Sequence, residues 1–345
     1  MKTKLLSCLC AIICNVYLLA EPPTPPSILI IGGGPAGLAT AIEAKASGCN
    51  VTVVEKRDSY SRHQWLFLVD SSLKLLEKWN VHTPQMKVAD TGDGNLMGFV
   101  PIRHLEEQLQ QRAQELGVQI VYGEFQGFGS NRDVIVTSQK NALILPYDIL
   151  VGADGAHSDV REALAIKTNH FGSAVGVSAL IPGYTDGPTA VDISPAMQYE
   201  DGFLRRIKVP SASIVFIQFP FSASKGDLQK TLEAQGWSKE AQAVSEKKAF
   251  VIADIPVSLQ QAHTFSSAQK SAILVGEAAA TASFFQGMGA NTALKTAEVA
   301  GRFFHEVQAD KETAFQNFNR AVKGTTDAMI EDSAFLFSRE SLSSK

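Results

Sequence analysis

Apolar residues along this chain fall into short β-branched runs that alternate with stretches of helical period. Ser27-Ile28-Leu29-Ile30-Ile31 has an unbroken apolar core, the pattern of a buried strand. It runs into Gly32-Gly33-Gly34-Pro35-Ala36-Gly37, after which Leu38, Ala41, Ile42 and Ala44 recur at helical spacing, with Gly48 as the stop. Val51-Thr52-Val53-Val54 follows as a second strand, with Glu55 at its end.

Further along, Ile102, Leu105, Leu109, Ala113 and Leu116 share one face of a helix predicted over 102–117. Strands are expected at 118–122, 133–137 and 142–145. The run Tyr147–Ala153 then delivers Asp154-Gly155-Ala156-His157-Ser158-Asp159-Val160-Arg161. Between 170 and 268, strand-like runs at 173–181, 203–209, 212–220 and 248–254 enclose a helical stretch near 227–244, which suits an antiparallel sheet. Another apolar strand ends at Gly276-Glu277, Gly287-Met288-Gly289 follows, and a helix is expected from Ala290. The stretch from Lys311 to about Glu340 reads as one or two outer helices.

The first twenty residues break this pattern. Lys2 and Lys4 precede an apolar run from Leu5 to Ala20, and prolines crowd the linker at 21–27. That order is that of a secretory signal or a short membrane anchor, so export or membrane association is expected; the alternative is a cytoplasmic N-terminal extension. Cys8, Cys10 and Cys14 lie inside the apolar run, so a cleaved chain keeps only Cys49, and no spacing suits a metal. A net charge of −4 with scattered Lys and Arg argues against a nucleic-acid partner.

The first glycine loop has the chemistry of a dinucleotide site. Gly32 makes a tight turn, Gly34 lets the backbone reach a pyrophosphate, and Gly37 lets the helix pack on the strand. The helix start offers unpaired N–H groups and partial positive charge to phosphates, with Ala36 in its first turn. Glu55, followed by Lys56, can accept hydrogen bonds from both ribose hydroxyls and disfavours a 2′-phosphate.

The three motifs G-G-G-P-A-G-L with Glu55, D-G-A-H-S-D-V-R, and G-E…G-M-G-A-N, in that order, resemble the FAD-dependent aromatic-hydroxylase family, of which para-hydroxybenzoate hydroxylase is the type member. A narrower likeness from Val54 to Gly155 (EKRDSYSRH, IRHLEEQL, EFQGF) resembles the flavin domain of MICAL-type monooxygenases. The resemblance implies an α/β fold: a Rossmann-like FAD-binding domain in two parts (28–168 and 269–310), an inserted antiparallel-sheet substrate domain (169–268), and C-terminal helices (311–345).

It further implies an NAD(P)H-dependent monooxygenase that consumes oxygen, forms a flavin C4a-hydroperoxide and hydroxylates a small organic substrate. Asp154 and Gly155 would lie near the pyrophosphate, Arg161 would support their turn, and Arg62 and Arg103 would contact the cofactor. Gly276 and Glu277 would serve the ribityl chain. Gly287, Gly289, Ala290 and Asn291 would bring a helix N-terminus to the pyrimidine edge of the flavin, where charge develops on reduction.

The sequence departs from the family in three places: Glu277 replaces an aspartate, Ala280 a histidine and Phe284 a proline. Those departures keep two alternatives open, a flavoprotein oxidase or reductase and a non-catalytic FAD-binding protein. Trp65, Trp79 and Trp237 are isolated, unlike the tryptophan-rich motif of flavin halogenases. Arg205-Arg206 is read as two side chains on opposite faces of a strand, and His63, Trp65 and Phe67 as pocket wall or core. No catalytic base stands out, since the oxygen chemistry would belong to the flavin.

Overall fold

The structure, a computed structural model, describes residues 24–62, 64–90, 94–139, 141–183, 192–194, 197–199, 202–209, 212–219, 225–282 and 287–334. The apolar segment 1–20, His63 and Phe284 lie outside the described residues.

Ser27–Ile31 is the central strand of a six-stranded sheet. Ile28, Leu29, Ile30 and Ile31 are all buried because parallel neighbours flank them, the helix Pro35–Ala46 packs on them, and the strand Asn141–Pro146 of a small antiparallel sheet also lies against them. Ile30 faces Val53 of the strand Asn50–Glu55 on one side and Val151 of Ile149–Gly152 on the other. Gln119–Tyr122 extends the sheet beyond Asn50–Glu55, and Ala272–Leu274 extends it beyond Ile149–Gly152. The chain therefore leaves this sheet after Gly152 and returns to it only with Ser266–Ser267, the antiparallel edge strand, and Ala272–Leu274. The helix Pro35–Ala46 packs along Met288–Glu306, so the two glycine motifs share one helix pair.

The intervening residues build a second, seven-stranded sheet in which Thr168–Pro182 lies between Ala212–Phe219 and Phe250–Ala262, all antiparallel. The period of two is explicit along Ala212–Phe219. Val215 and Ile217 join Leu228, Leu232 and Trp237 under the covering helices, whereas Ile214 and Phe216 turn to Phe67 and Phe99 on the other face. Arg206 follows the first set: its guanidinium stacks 4.3 Å from the Trp237 ring and pairs with buried Glu240 at 3.3 Å. Its neighbour Arg205 is half-buried on the opposite face.

Several details differ from the sequence reading. The helix expected over 227–244 is two helices, Lys225–Ala234 and Ser238–Ser245, parted at Gly236, whose φ of +71° is left-handed. The strand expected at 248–254 runs from Phe250 to Ala262. A three-stranded sheet of Trp65–Val69, Lys87–Asp90 and Leu96–Pro101 was not anticipated, nor was the strand Glu124–Phe128. Trp65 and Phe67 belong to that sheet and to its aromatic cluster with Phe99 and Phe216. The helix near Ala290 starts at Met288, and Lys311–Ala334 is one continuous helix. Among the described residues no helix is long and apolar enough to cross a membrane.

Candidate functional site

A cleft of about 340 Å³ opens at the carboxyl ends of the parallel strands, where ligands bind in sheets of this kind. Gly32, Gly34, Ala36, Glu55, Lys56, Arg62, Asp154, Gly155, Glu277, Gly289 and Ala290 all line it. Residues from three separate motifs thus face one space.

The first glycines divide their work. Gly32 has φ +109°, and a Cβ there would lie 2.3 Å from the Ala153 carbonyl oxygen. A Cβ on Gly37 would meet the Gly32 carbonyl oxygen at 1.9 Å, so that glycine serves helix packing and stays outside the cleft lining. A Cβ on Gly34 would touch nothing within 4 Å; it would project into open space at the uncapped start of Pro35–Ala46. That helix end can offer N–H groups to a phosphate.

Glu55 is buried and tied to the same turn. Its Oε2 accepts from the Gly33 amide at 2.7 Å and from Arg57 Nη2 at 3.2 Å. Its Oε1 accepts from the amide and the Nε of Arg57, each at 2.9 Å. Burial pushes the carboxyl pKa up, but the Arg57 and Gly33 contacts together outweigh it and hold it below the usual range. Tyr60 donates its hydroxyl to the Gly33 carbonyl at 2.8 Å and completes the turn. Arg57 lines the cleft and was missed in the sequence, where it is one more cation two residues after the acid.

Arg62 lines the cleft and pairs through Nη2 with Glu106, which is wholly buried. Arg57 Nη2 lies 3.5 Å from the same Glu106 oxygen. Arg103 departs from expectation: it sits at the start of the same helix, 3.6 Å from Glu107, and does not line the cleft. It lies three residues before Glu106, on the same side of Ile102–Glu115, but is drawn to Glu107 one turn further on.

The second motif is a capping device. Asp154 accepts from Ser158 Oγ at 2.5 Å and from the Val160 amide at 3.0 Å, and Ser158 Oγ accepts the Arg161 amide at 3.0 Å. Burial raises the Asp154 carboxyl above its ordinary value despite these bonds. Arg161 lies outside the cleft lining and donates to the carbonyls of Ala156 at 2.8 Å and Ala278 at 2.9 Å. It thereby joins the second motif to the third.

In the third motif, Gly276 has φ +59° and packs so closely on Ala36 that a Cβ would approach it to 2.5 Å. Gly287 caps Met288–Glu306 with φ +68°, against the Phe67 ring. Asn291 accepts from the Val69 amide at 3.0 Å and Ser72 Oγ at 2.6 Å, and donates to the carbonyls of Phe67 and Gly287, each at 2.9 Å. These three residues pack and anchor the backbone around the helix start and do not line the cleft. Glu277 does line it, with Gly289 and Ala290 beside it. Protein surrounds the Glu277 carboxylate, although solvent reaches it through the cleft. Desolvation raises its pKa, opposed by the charges of Arg62 and His157. Ala280 is buried in a two-residue strand opposite Gln261.

The sequence also gave no sign of Gly123, Glu124 and Phe125 on the cleft wall. They follow Gln119–Tyr122, the strand beside Asn50–Glu55, so the sheet order alone brings them to the crevice. An open glycine turn at a helix start, a buried acid, two arginines and a carboxylate beside a second helix start thus line one cleft.

Comparison with known proteins agrees with this geometry. The family profile described as pyridine nucleotide-disulphide oxidoreductase matches residues 26–160. The [F-actin]-monooxygenase Mical of Drosophila melanogaster is 28% identical over 222 residues, covering 54% of this chain and 4% of the relative. This chain therefore spans a small fraction of that protein's length. Among solved structures, the tetrameric form of 2-methyl-3-hydroxypyridine-5-carboxylic acid oxygenase superposes with a TM-score of 0.73 at 20% identity, covering 91% of each chain. The pqsL protein of Pseudomonas aeruginosa, described as a probable FAD-dependent monooxygenase, gives 0.72 at 15% identity, over 92% of this chain and 98% of that one. The fold is shared with these two solved structures, and the likeness to the [F-actin]-monooxygenase Mical extends to the sequence.

Proposed function

We propose that this chain is an FAD-dependent monooxygenase that uses NAD(P)H and oxygen to oxygenate a small organic substrate. The observation that carries the reading is the convergence of Gly34, Glu55, Arg62 and Glu277 on one cleft, although the last lies far along the chain from the first three. Bound there, FAD would supply the redox and oxygen chemistry.

The residues would divide the task by position. Gly34 and the helix start behind it would receive the pyrophosphate. Glu55 would bind the ribose hydroxyls, with Arg57 yielding part of its hold on that carboxylate. Arg62 would face the phosphates, where its planar fork suits two oxygens. Glu277 would accept from ribityl hydroxyls. The start of Met288–Glu306 would place N–H groups where the reduced flavin is negative. The face of the large sheet that carries Ile214 and Phe216 packs on Phe67, and Phe67 also abuts Gly287; a substrate site between the two domains would lie beside this filled cluster.

Two measurements test the reading. Flavin released from the denatured, purified protein should run as FAD on chromatography; FMN or no flavin refutes it. Stopped-flow reduction with NADH or NADPH, then mixing with oxygen, should show an absorbing transient before the flavin reoxidises. Peroxide release without a transient points to an oxidase, and no reduction at all points to a binding protein. For residues 1–20 the sequence supports targeting to or across a membrane. Fractionation is decisive there: full-length protein found wholly in the soluble cytoplasm with this segment intact would show the reading to be wrong.

A further inference from the structure

We propose that Glu106 is a positioning residue of the cleft: its buried carboxylate seats Arg62 by one edge, so that the rest of the guanidinium is presented to the cofactor's diphosphate. The proposal rests on the reading of the cleft as an FAD site.

Glu106 occupies a place that the helix pattern would give to an apolar residue. It follows Ile102 by four positions and precedes Leu109 by three, and with Ile102, Leu105, Leu109 and Ala113 it is buried on the inner face of Ile102–Glu115. A carboxylate in such a place is retained only when charges meet it. Here two do, and both line the cleft. Arg62 Nη2 bonds to Glu106 Oε1, and Arg57 Nη2 lies 3.5 Å from the same oxygen.

The form of the pairing is informative. A buried Arg–Glu pair whose role is purely structural gains most from a two-pronged contact. Among the described residues, Glu106 Oε2 and Arg62 Nε are both buried without a hydrogen-bond partner. One nitrogen of Arg62 is therefore committed, while a guanidinium carries five N–H groups. A guanidinium held in this way loses less freedom on meeting a phosphate than one that swings in solvent. The charge of Arg62 also reaches Glu277, so a fixed Arg62 relates the phosphate end of the cleft to its third motif.

The test is a double-mutant cycle on FAD affinity, read by fluorescence during titration of FAD into apo-protein, with Tm measured in parallel. Wild type, Glu106→Gln, Arg62→Met and the double variant make up the cycle. Glu106→Gln should weaken FAD by about tenfold when Arg62 is present and by less than about twofold once Arg62 is replaced. Glu106→Asp, which keeps the charge but draws it back from Arg62, should show the same dependence on Arg62 and covers the case in which Glu106→Gln does not fold. Equal losses with and without Arg62, or no loss at all, overturn the proposal, whatever happens to Tm. A wild-type chain that takes up no FAD overturns the reading of the cleft, and the proposal with it.

Discussion

The Glu277 carboxylate lies against Gly289: a methyl group at Gly289 would come within 3.4 Å of Glu277 Oε1. Both residues line the cleft, and the contact sets the acid beside the start of Met288–Glu306. The carboxylate sits beside that helix start, and solvent still reaches it.

If Glu277 reaches the ribityl hydroxyls, Glu277→Asp should bind FAD almost as well as wild type. Glu277→Ala should lose a charge-assisted hydrogen bond worth about 1.5–3 kcal/mol. Titration of FAD into the three apo-proteins decides the matter. Equal affinity for wild type and Glu277→Ala would place the acid off the cofactor.

Gly34→Val separates binding from folding. A Cβ there would meet no protein atom within 4 Å, so stability in urea should fall by only about 1 kcal/mol, for the poorer helix N-cap, while FAD binding is abolished. Gly37→Ala, with a Cβ 1.9 Å from a backbone oxygen, should instead lower Tm.

Glu55 and Glu277 titrate in opposite senses. The folded Glu55 pKa is depressed, so its contribution to stability is full above the unfolded value of about 4.3 and is lost as pH falls through the folded value. The Tm advantage of wild type over Glu55→Gln should thus shrink in acid. The Glu277 pKa is raised, so its charge opposes folding above the folded value, and Glu277→Gln should gain Tm at neutral pH but not near pH 4. Melting curves of apo-protein across pH check both signs. Glu55→Ala should also weaken FAD by about 1.5–3 kcal/mol.

Arg206→Ala leaves Glu240 buried with Ser213 as a partner and removes the stacking on Trp237. The loss should be about 3 kcal/mol in urea unfolding, with FAD affinity unchanged if the two domains keep separate roles.

Much of the first domain was legible because its signals are local. Ile28–Ile31, the glycine turn and Glu55 are contiguous, and each states its own conformational need. What the sequence hid depends on sheet order and on ion pairing. Phe125 reaches the cleft only because its strand follows one beside Glu55, and Glu106 looks like any charge on an amphipathic helix until Arg62 is placed opposite. Arg103 shows the converse: a plausible arginine on the right helix, drawn to Glu107 one turn on and absent from the cleft wall. Gly287 and Asn291 were singled out for contact with the ligand, and the structure finds them securing the helix start to Phe67 and Val69.

The late return of the chain to the first sheet, through Ser266–Ser267 and Ala272–Leu274, has a kinetic meaning. A ribosome delivers Gly34, Glu55 and Arg62 early, but Glu277 and Gly289 only after the whole inserted sheet has emerged. The long loop must close before Ala272–Leu274 can dock beside Ile149–Gly152, and contacts so distant in sequence form slowly. Nascent chains stalled before residue 272 should hold no FAD, whereas chains extended past 306 should. Capture of the cofactor then reports that synthesis and folding of both domains are complete, and a chain broken off inside the insertion stays colourless.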